Sequence, residues 1–466
     1  MNQASLSVDV AILGAGTAGL AAYRAATEAR ARAVLIDPGP LGTTCARVGC
    51  MPSKLLIAAA EAAHEAREAG PFGVRTTAEV DGPAVMDRVR RERDRFVGFV
   101  MDGVEGLPEG ALLRGRGRFT APGVLEVEGR PVQARSVVLA TGSSPVIPPV
   151  FEGVRSRVIA NDELFSWDTL PPSVAVFGAG VIGLELGQAL HRLGVRVRMF
   201  GLGGLVGPLS DPVVKEAAAR AFQGEFPVDF AAEVLDLRLE GEEVAVTWKG
   251  PGGPVTERFA WLLVAAGRRP NLGSLGLESA GEGVLLDGRL APFDRHTLQV
   301  GATSIFVAGD ANNELPLLHE AADEGKIAGE NAARFPHVRP APRRSPLGIV
   351  FSDPQLAVVG APFAELSRRG PFVIGEVSFE DQGRSRVMRK NRGALRVYAD
   401  PATGRLLGAE AAGPRVEHLA HLLAWSHQAG LTIPEMLAMP FYHPVVEEGL
   451  RTALRGAAAR LDGPRG

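Results

Sequence analysis

Two stretches of the chain carry the same succession of apolar run, glycine turn and amphipathic segment. VAILGAGTAGL starts at Val10 and VAVFGAGVIGL at Val174, and seven of the eleven positions are identical. Each opens with a short apolar run of the kind a parallel strand buried on both faces requires. Each then reads G-x-G-x-x-G, continues into an Ala/Leu-rich helical pattern (LAAYRAATEAR; LELGQALHRLG) and ends in a second strand (ARAVLID; VRVRMF). The pattern predicts one βαβ unit written twice, 164 residues apart. SVVLATGSSP (136–145) and SIFVAGDANN (304–313) are further apolar strands ending in a glycine turn, one on either side of the second copy. The Pro-rich stretch HVRPAPRRSP (337–346) resists helix and central strand and marks a boundary.

The spacing of the glycines assigns each a task. Gly14 and Gly178 allow a tight strand-to-helix turn, Gly16 and Gly180 let backbone approach a pyrophosphate, and Gly19 and Gly183 let helix and strand pack closely. Two copies in this context predict two dinucleotide sites. Asp37 ends the second strand of the first copy, where an acid accepts hydrogen bonds from a ribose. The same offset in the second copy lands on Gly201, which carries no carboxylate. The segment GLGGLVGPLSD that follows has no arginine cluster, although Arg196 and Arg198 precede it, so NAD and NADP both remain open. Asp310, just past the apolar strand of the Ser304–Asn313 stretch, is placed to reach a ribityl or pyrophosphate group.

Composition narrows the class. A chain of 466 residues suggests about three domains, and 46% hydrophobic with 22% charged residues is the balance of a globular protein. A net charge of −3 asks for neither nucleic acid nor an anionic membrane. No basic stretch followed by an apolar run precedes the first glycine cluster, and no apolar segment is long enough for a membrane span, so a cytoplasmic location is expected. The scarcity of cysteine fits a reducing compartment.

Cys45 and Cys50, in GTTCARVGCMPSK, are the only cysteines. A structural disulfide closing so short a loop contributes about 2 kcal/mol. Two unrelated thiols, a staple and a redox pair are all compatible with the spacing. In a regular helix residues five apart lie ~140° around and ~7.5 Å along the axis, so a bridge between them requires a distorted helix start. His418 and His421 in VEHLAHLLAWSHQ could share a metal across one turn, but without a third ligand core or interface packing is the better reading, and no metal is expected.

With these residues in hand, the chain resembles the pyridine nucleotide–disulfide oxidoreductases, and among them the dihydrolipoamide dehydrogenases most. The resemblance runs nearly end to end. It rests on Gly14/Gly16/Gly19 with Asp37, Cys45–Cys50 ending in PSK, ATG at 140–142 and the second fingerprint with Glu185. It continues through AAGRRPN (265–271), AGD (308–310), FSDPQLAVVG (351–360) and FYHPVVEE (441–448). The implied fold is α/β, with two Rossmann-like domains for FAD and NAD(P) and a C-terminal α+β dimerisation domain. The implied segments are 1–149 (FAD), 150–272 (NAD(P)), 273–343 (return to the FAD domain) and 344–466 (interface, homodimer).

The resemblance also implies roles. Cys50 would be the thiol nearest the flavin and Cys45 the outer thiol that meets a substrate disulfide. Lys54 would stand beside the flavin with Glu185 as its ion-pair partner. His443, oriented by Glu448, would be the acid–base residue, delivered from the partner subunit, and the His443–Pro444 bond is a candidate cis peptide. Cofactor contacts would come from Thr44, Ala140, Thr141, Gly142, Gly267, Arg268, Gly309 and Asp310 besides the two fingerprints. The substrate would be a small-molecule or lipoyl-domain disulfide. A glutathione-type reductase, or a flavin oxidase or transhydrogenase with an incidental disulfide, is the alternative. Thr43 and Arg47 stand where the family usually has glycine and asparagine, and a guanidinium there bears on thiolate pKa or on which substrate docks.

Overall fold

A computed structural model describes residues 5–461. The chain forms two compact units, and it changes unit several times: residues 1–52, 89–146 and 268–343 make the first, and 53–88, 147–267 and 344–466 the second. Three of these crossings fall at 146/147, 267/268 and 343/344. The excursion over 53–88 is a feature that a division of the sequence into consecutive blocks does not contain.

The first unit is built on a seven-stranded sheet. Leu6–Leu13 lies at its centre, parallel to Ala33–Asp37 on one side and to Arg130–Leu139 on the other. Its residues Val10 to Leu13 are all buried, because both faces of the sheet are covered. Val10 and Ile12 pack with Ala18 and Ala22 of one helix and Ala328 of another, and Ala11 and Leu13 with Phe119, Leu125 and the 275–300 segment. On its other edge Arg130–Leu139 divides its length between two partners. Its first half pairs antiparallel with Val124–Val127 and its last three residues pair parallel with Ile305–Val307. The strand that returns after the second fingerprint is thereby fixed beside the first.

On this sheet the helix Thr17–Glu28 packs against Leu318–Arg334 with almost no side chain between them. A Cβ at Gly325 would clash with the Ala18 carbonyl oxygen, and one at Gly329 with that of Ala22. Small residues at four-residue spacing therefore let two backbones touch. This contact holds the first fingerprint helix in place.

The second unit contains a five-stranded parallel sheet ordered Val228–Asp229, Arg196–Phe200, Ser173–Phe177, Trp261–Val264 and Val158–Ile159. Three antiparallel strands, Val234–Glu240, Glu243–Gly250 and Gly253–Phe259, accompany it. Their shared core is aromatic, with Phe177 stacked on Phe200 and Trp248 edge-on to Phe200. The C-terminal part is a five-stranded antiparallel sheet, 347–350, 355–360, 406–413, 394–399 and 373–378 in spatial order, packed with the helices Val416–Gln428 and Glu447–Leu461.

His418 and His421 are both exposed on Val416–Gln428, on the face that carries the exposed Trp425. A core position for the two rings is corrected by this: the helix buries Val416, Leu419, Ala420 and Leu423 instead. Among the described residues no helix is long and apolar enough to cross a membrane.

Replacing Gly329 by alanine forces apart the two helix backbones. The expected cost is about 1–3 kcal/mol, visible as a lower urea midpoint by far-UV circular dichroism. An unchanged midpoint would mean that the two helices separate at no cost.

Candidate active site

In the first fingerprint Gly14 adopts φ +110°, and its N–H donates to the Ile36 carbonyl at 2.8 Å. A Cβ at Gly19 would collide with the Gly14 carbonyl, so this position admits only glycine. Around Gly16, by contrast, a Cβ would meet nothing within 4 Å. Gly16 caps the Thr17–Glu28 helix without a side-chain partner, so the first amides of the helix face open space suited to an anion. Asp37 accepts from Ala15 N at 2.7 Å through one oxygen and from Gly39 N at 2.6 Å through the other. Each carboxylate oxygen retains a lone pair for a ribose hydroxyl.

Next to this turn lies Ala140–Thr141–Gly142. Thr141 Oγ1 is the one buried side-chain polar atom without a partner among the described residues. A buried hydroxyl left unpaired is costly, and a ligand atom beside it removes the cost. Ser143 Oγ donates to Asp310 at 2.6 Å and accepts from Arg268 Nε at 2.8 Å, while Arg268 also donates to the Ser143 carbonyl. Asn271 donates to the Thr141 carbonyl at 3.0 Å. The Gly309 amide donates to the buried carboxylate of Glu324 at 2.7 Å, which fixes the turn presenting Asp310. An open amide cradle, a ribose-type acid and an orphaned hydroxyl in one place fit a flavin dinucleotide.

The second fingerprint repeats the geometry. Gly178 has φ +113° and donates to Phe200 O at 2.9 Å. Gly183 excludes a Cβ, and Gly180 leaves the helix start open. Gly267, with φ +104°, closes the turn beyond the neighbouring strand Trp261–Val264.

The two cysteines sit on different helices. Thr44–Val48 ends at Gly49, whose φ of −124° and ψ of −118° break the helix, and a new helix, Cys50–Arg67, starts at once. A Cβ on Gly49 would stand 3.0 Å from Thr44 O and 3.2 Å from Cys45 Cα. Glycine thus lets the chain fold back on the first cysteine, which a continuous helix forbids. Cys45 is half-buried and Cys50 exposed.

The departures at 43 and 47 have structural consequences. Thr43 takes φ +60°, ψ 148°, a region that glycine occupies with ease and other residues rarely. Its hydroxyl accepts from Ala46 N at 3.3 Å and caps the first short helix. Arg47 turns back to donate to the Pro40 carbonyl at 3.1 Å.

In the second unit Lys54 Nζ lies 2.7 Å from Glu185 Oε2 and 4.7 Å above the Phe351 ring. Glu185 is only 4% exposed, and its other oxygen accepts from Phe351 N at 2.9 Å. Successive turns of the Val181–Arg192 helix hold the segment at 351–353. Gln188 exchanges two hydrogen bonds with the Asp353 backbone, and Arg192 meets the Asp353 carboxylate at 3.1 Å. Burial opposes the charge of Asp353, but Lys390 and Arg192 outweigh it and hold the carboxyl below its usual range.

His443 Nδ1 is 3.0 Å from Glu448 Oε2, and the His443–Pro444 peptide is cis. The hydrogen bond from His443 is the main cause that holds the Glu448 carboxyl below the usual range. A depressed carboxyl keeps its interaction above the ordinary carboxylate pKa and loses it only as pH falls through the lowered value. The pair therefore persists through the neutral range. The His443 side chain is 80% exposed, with Nε2 available to a reacting group.

Ser143, Asn271 and Phe351 are not singled out by the sequence. Each lies in a stretch that is, and only the folded backbone gives it a partner.

Because Gly16 is extended and has space around it, Gly16→Val should leave apoprotein thermal stability within a degree or two. The flavin:protein absorbance ratio of the purified variant should fall at least tenfold. Full flavin retention would contradict the cradle.

A model of the pyridine nucleotide-disulphide oxidoreductases matches residues 8–325, and a model of their dimerisation domain matches 347–454. Over 96% of both chains the protein is 29% identical to the dihydrolipoyl dehydrogenase of Thermus scotoductus. It is 30% identical to the mercuric reductase of Acidithiobacillus ferrooxidans, over 95% of this chain and 81% of that one. Among solved structures, LpdA from Mycobacterium tuberculosis superposes with a TM-score of 0.80 at 25% identity, covering 97% of this chain and 99% of the other. The HOCl-induced flavoprotein disulfide reductase RclA from Escherichia coli also gives 0.80, at 22% identity over 96% of this chain and 99% of that one, and shows the same fold. The dimerisation domain makes the protein a homodimer. The chain belongs to the pyridine nucleotide-disulphide oxidoreductases, FAD-dependent enzymes that exchange electrons with NAD(P)H.

Proposed function

We propose that the protein couples NAD(P)H to a dithiol/disulfide substrate of the dihydrolipoamide type through a redox-active Cys45–Cys50 pair. The observation that carries this is the helix break at Gly49, which brings the only two cysteines onto adjoining helices. Relatives named dihydrolipoyl dehydrogenase that align over almost the whole chain support the substrate class. Low cysteine content supports a reducing cytoplasm as the setting.

We read 1–149 and 273–343 as the FAD part, 150–272 as the NAD(P) part and 344–466 as the interface part. The first fingerprint with Asp37, Thr44, Ala140, Thr141, Gly142, Gly309 and Asp310 would hold FAD. The second fingerprint with Gly267 and Arg268 would bind and orient NAD(P)H. When bound, FAD would supply two-electron transfer between the nicotinamide and the disulfide sulfur.

The remaining steps belong to this chain. Two electrons and two protons open the Cys45–Cys50 disulfide to two thiols. Cys45, deprotonated by His443, attacks one sulfur of the substrate disulfide; that S–S bond breaks as the mixed disulfide forms. His443 returns its proton to the departing thiolate. Cys50 then attacks Cys45 sulfur and its proton passes to the second departing sulfur, which restores the pair and releases the second thiol. The sum is NAD(P)H, one proton and a disulfide giving NAD(P)⁺ and two thiols, and it runs in reverse for a dithiol donor. Glu448 keeps the His443 proton on Nδ1, so that Nε2 is the base, and we assign this pair to the site of the partner subunit. Lys54 and Glu185 keep a fixed ion pair on the nicotinamide side, its carboxylate buried and its ammonium partly exposed.

Rates with NADH and lipoamide, against glutathione disulfide, test the substrate class, and faster turnover of lipoamide is expected. Cys45→Ser and Cys50→Ser should each abolish disulfide turnover. His443→Gln should lower kcat by about 10²–10⁴ with little change in KM for the disulfide, and Glu448→Gln by a smaller part of that factor. NADH consumption that needs no disulfide and survives Cys50→Ser would move the protein to the oxygen- or quinone-reducing flavoproteins.

A further inference from the structure

Backbone hydrogen bonds equate two positions of the repeat. Gly14 N donates to Ile36 O and Gly178 N to Phe200 O, so the residues that follow, Asp37 and Gly201, occupy corresponding places. At the first, a carboxylate stands ready for a ribose. At the second, no side chain fits. A Cβ on Gly201 would lie 2.8 Å from Phe230 Cα, 2.9 Å from Phe230 O and 3.1 Å from Asp229 O, all of them backbone atoms. The cause is pairing on both sides: Gly201 N donates to Asp229 O at 2.6 Å, and Ala232 N donates to Gly201 O at 3.0 Å.

The loop that continues from this point, GLGGLVG over 201–207, carries no charged residue. Gly207 N donates to Ala179 O at 2.8 Å, which holds the loop against the fingerprint turn. Leu202 and Leu205 project from it, 78% and 60% exposed. The cations of the preceding strand are engaged elsewhere. Arg196 and Arg198 share Glu257 and lie over the Phe259 and Trp248 rings. The Asp229 carboxylate accepts from Ala231 N in its own turn, and Glu233 pairs with Lys249.

We infer that this site does not discriminate at the adenosine 2′ position, so the enzyme binds NADH and NADPH with comparable affinity. The inference rests on the reading of the second fingerprint as the nicotinamide dinucleotide site. Preference for a 2′-hydroxyl comes from a carboxylate that binds it and repels a phosphate carrying about −1.5 to −2 charges. Preference for the phosphate comes from a guanidinium fork. Backbone packing excludes the first here, and the loop lacks the second. The 2′ substituent of either dinucleotide then stays hydrated above an apolar, glycine-rich edge. Leu202 is the position from which discrimination can be installed.

Isothermal titration of the FAD-loaded enzyme with NAD⁺ and with NADP⁺ reads affinity without turnover. The two Kd values should agree within about fivefold, with a ratio little changed between low and high salt. Leu202→Arg should tighten NADP⁺ by roughly five- to tenfold in a salt-sensitive way and leave NAD⁺ unchanged, the effect of one exposed charge contact. Leu202→Glu should weaken NADP⁺ alone. Flavin content of the variants confirms their folding. A wild-type preference above fiftyfold for either dinucleotide, or a Leu202→Arg variant that leaves NADP⁺ affinity unchanged, overturns the inference while the dinucleotide site stands. Binding of neither dinucleotide overturns the reading beneath it as well.

Discussion

The organisation of this protein depends on backbone meeting backbone where no side chain intervenes. Gly19 against Gly14 and Gly183 against Gly178 close the two strand–helix turns, and Gly325 and Gly329 bring two helices into main-chain contact. Each such approach would be blocked by a single methyl group. Glycine loses more entropy on folding than other residues, about 0.5–1 kcal/mol relative to alanine in regular structure, so these positions cost stability in exchange for geometry. That geometry supplies the parts of the proposed site: helix amides at an open turn, and a helix that stops between the two cysteines.

Polar groups then hold the geometry. Glu185 is nearly inaccessible to solvent, and a buried carboxylate must be paired and hydrogen-bonded to be tolerated. Lys54 and the Phe351 amide meet both requirements. Gln188 and Arg192, further along the same helix face, fix the chain that supplies the amide. One helix therefore starts at an open glycine turn and, along its length, positions an ion pair and a loop. Removing Arg192 would leave Asp353 and Glu225 as buried charges with fewer partners, so its influence on Lys54 is indirect and runs through backbone placement.

Much of this was legible in the sequence. The doubled fingerprint gives two nucleotide-binding folds because a short apolar run and a helical pattern flank fixed glycines, and steric rules tie those glycines to one turn. The cysteine spacing and Gly49 anticipate a helix that cannot run on. Other features were not legible, for physical reasons. Ser143 gains its role only when two strands 125 residues apart pair and bring Arg268 to it. The orphaned hydroxyl of Thr141 follows from burial, which no local pattern encodes. Gly201 reads in sequence as a missing acid, and only the Phe230 backbone beside it explains why none fits. His418 and His421 lie on the exposed side of a helix whose apolar stripe runs through Leu419 and Leu423.

Everything proposed for the chemistry requires that electrons from a nicotinamide reach sulfur at positions 45 and 50. Counting thiols in the denatured enzyme, first as prepared in air and then after anaerobic addition of one equivalent of NADH, tests this directly. No thiol is expected before reduction, and two per chain afterwards. Two thiols in both samples would contradict it.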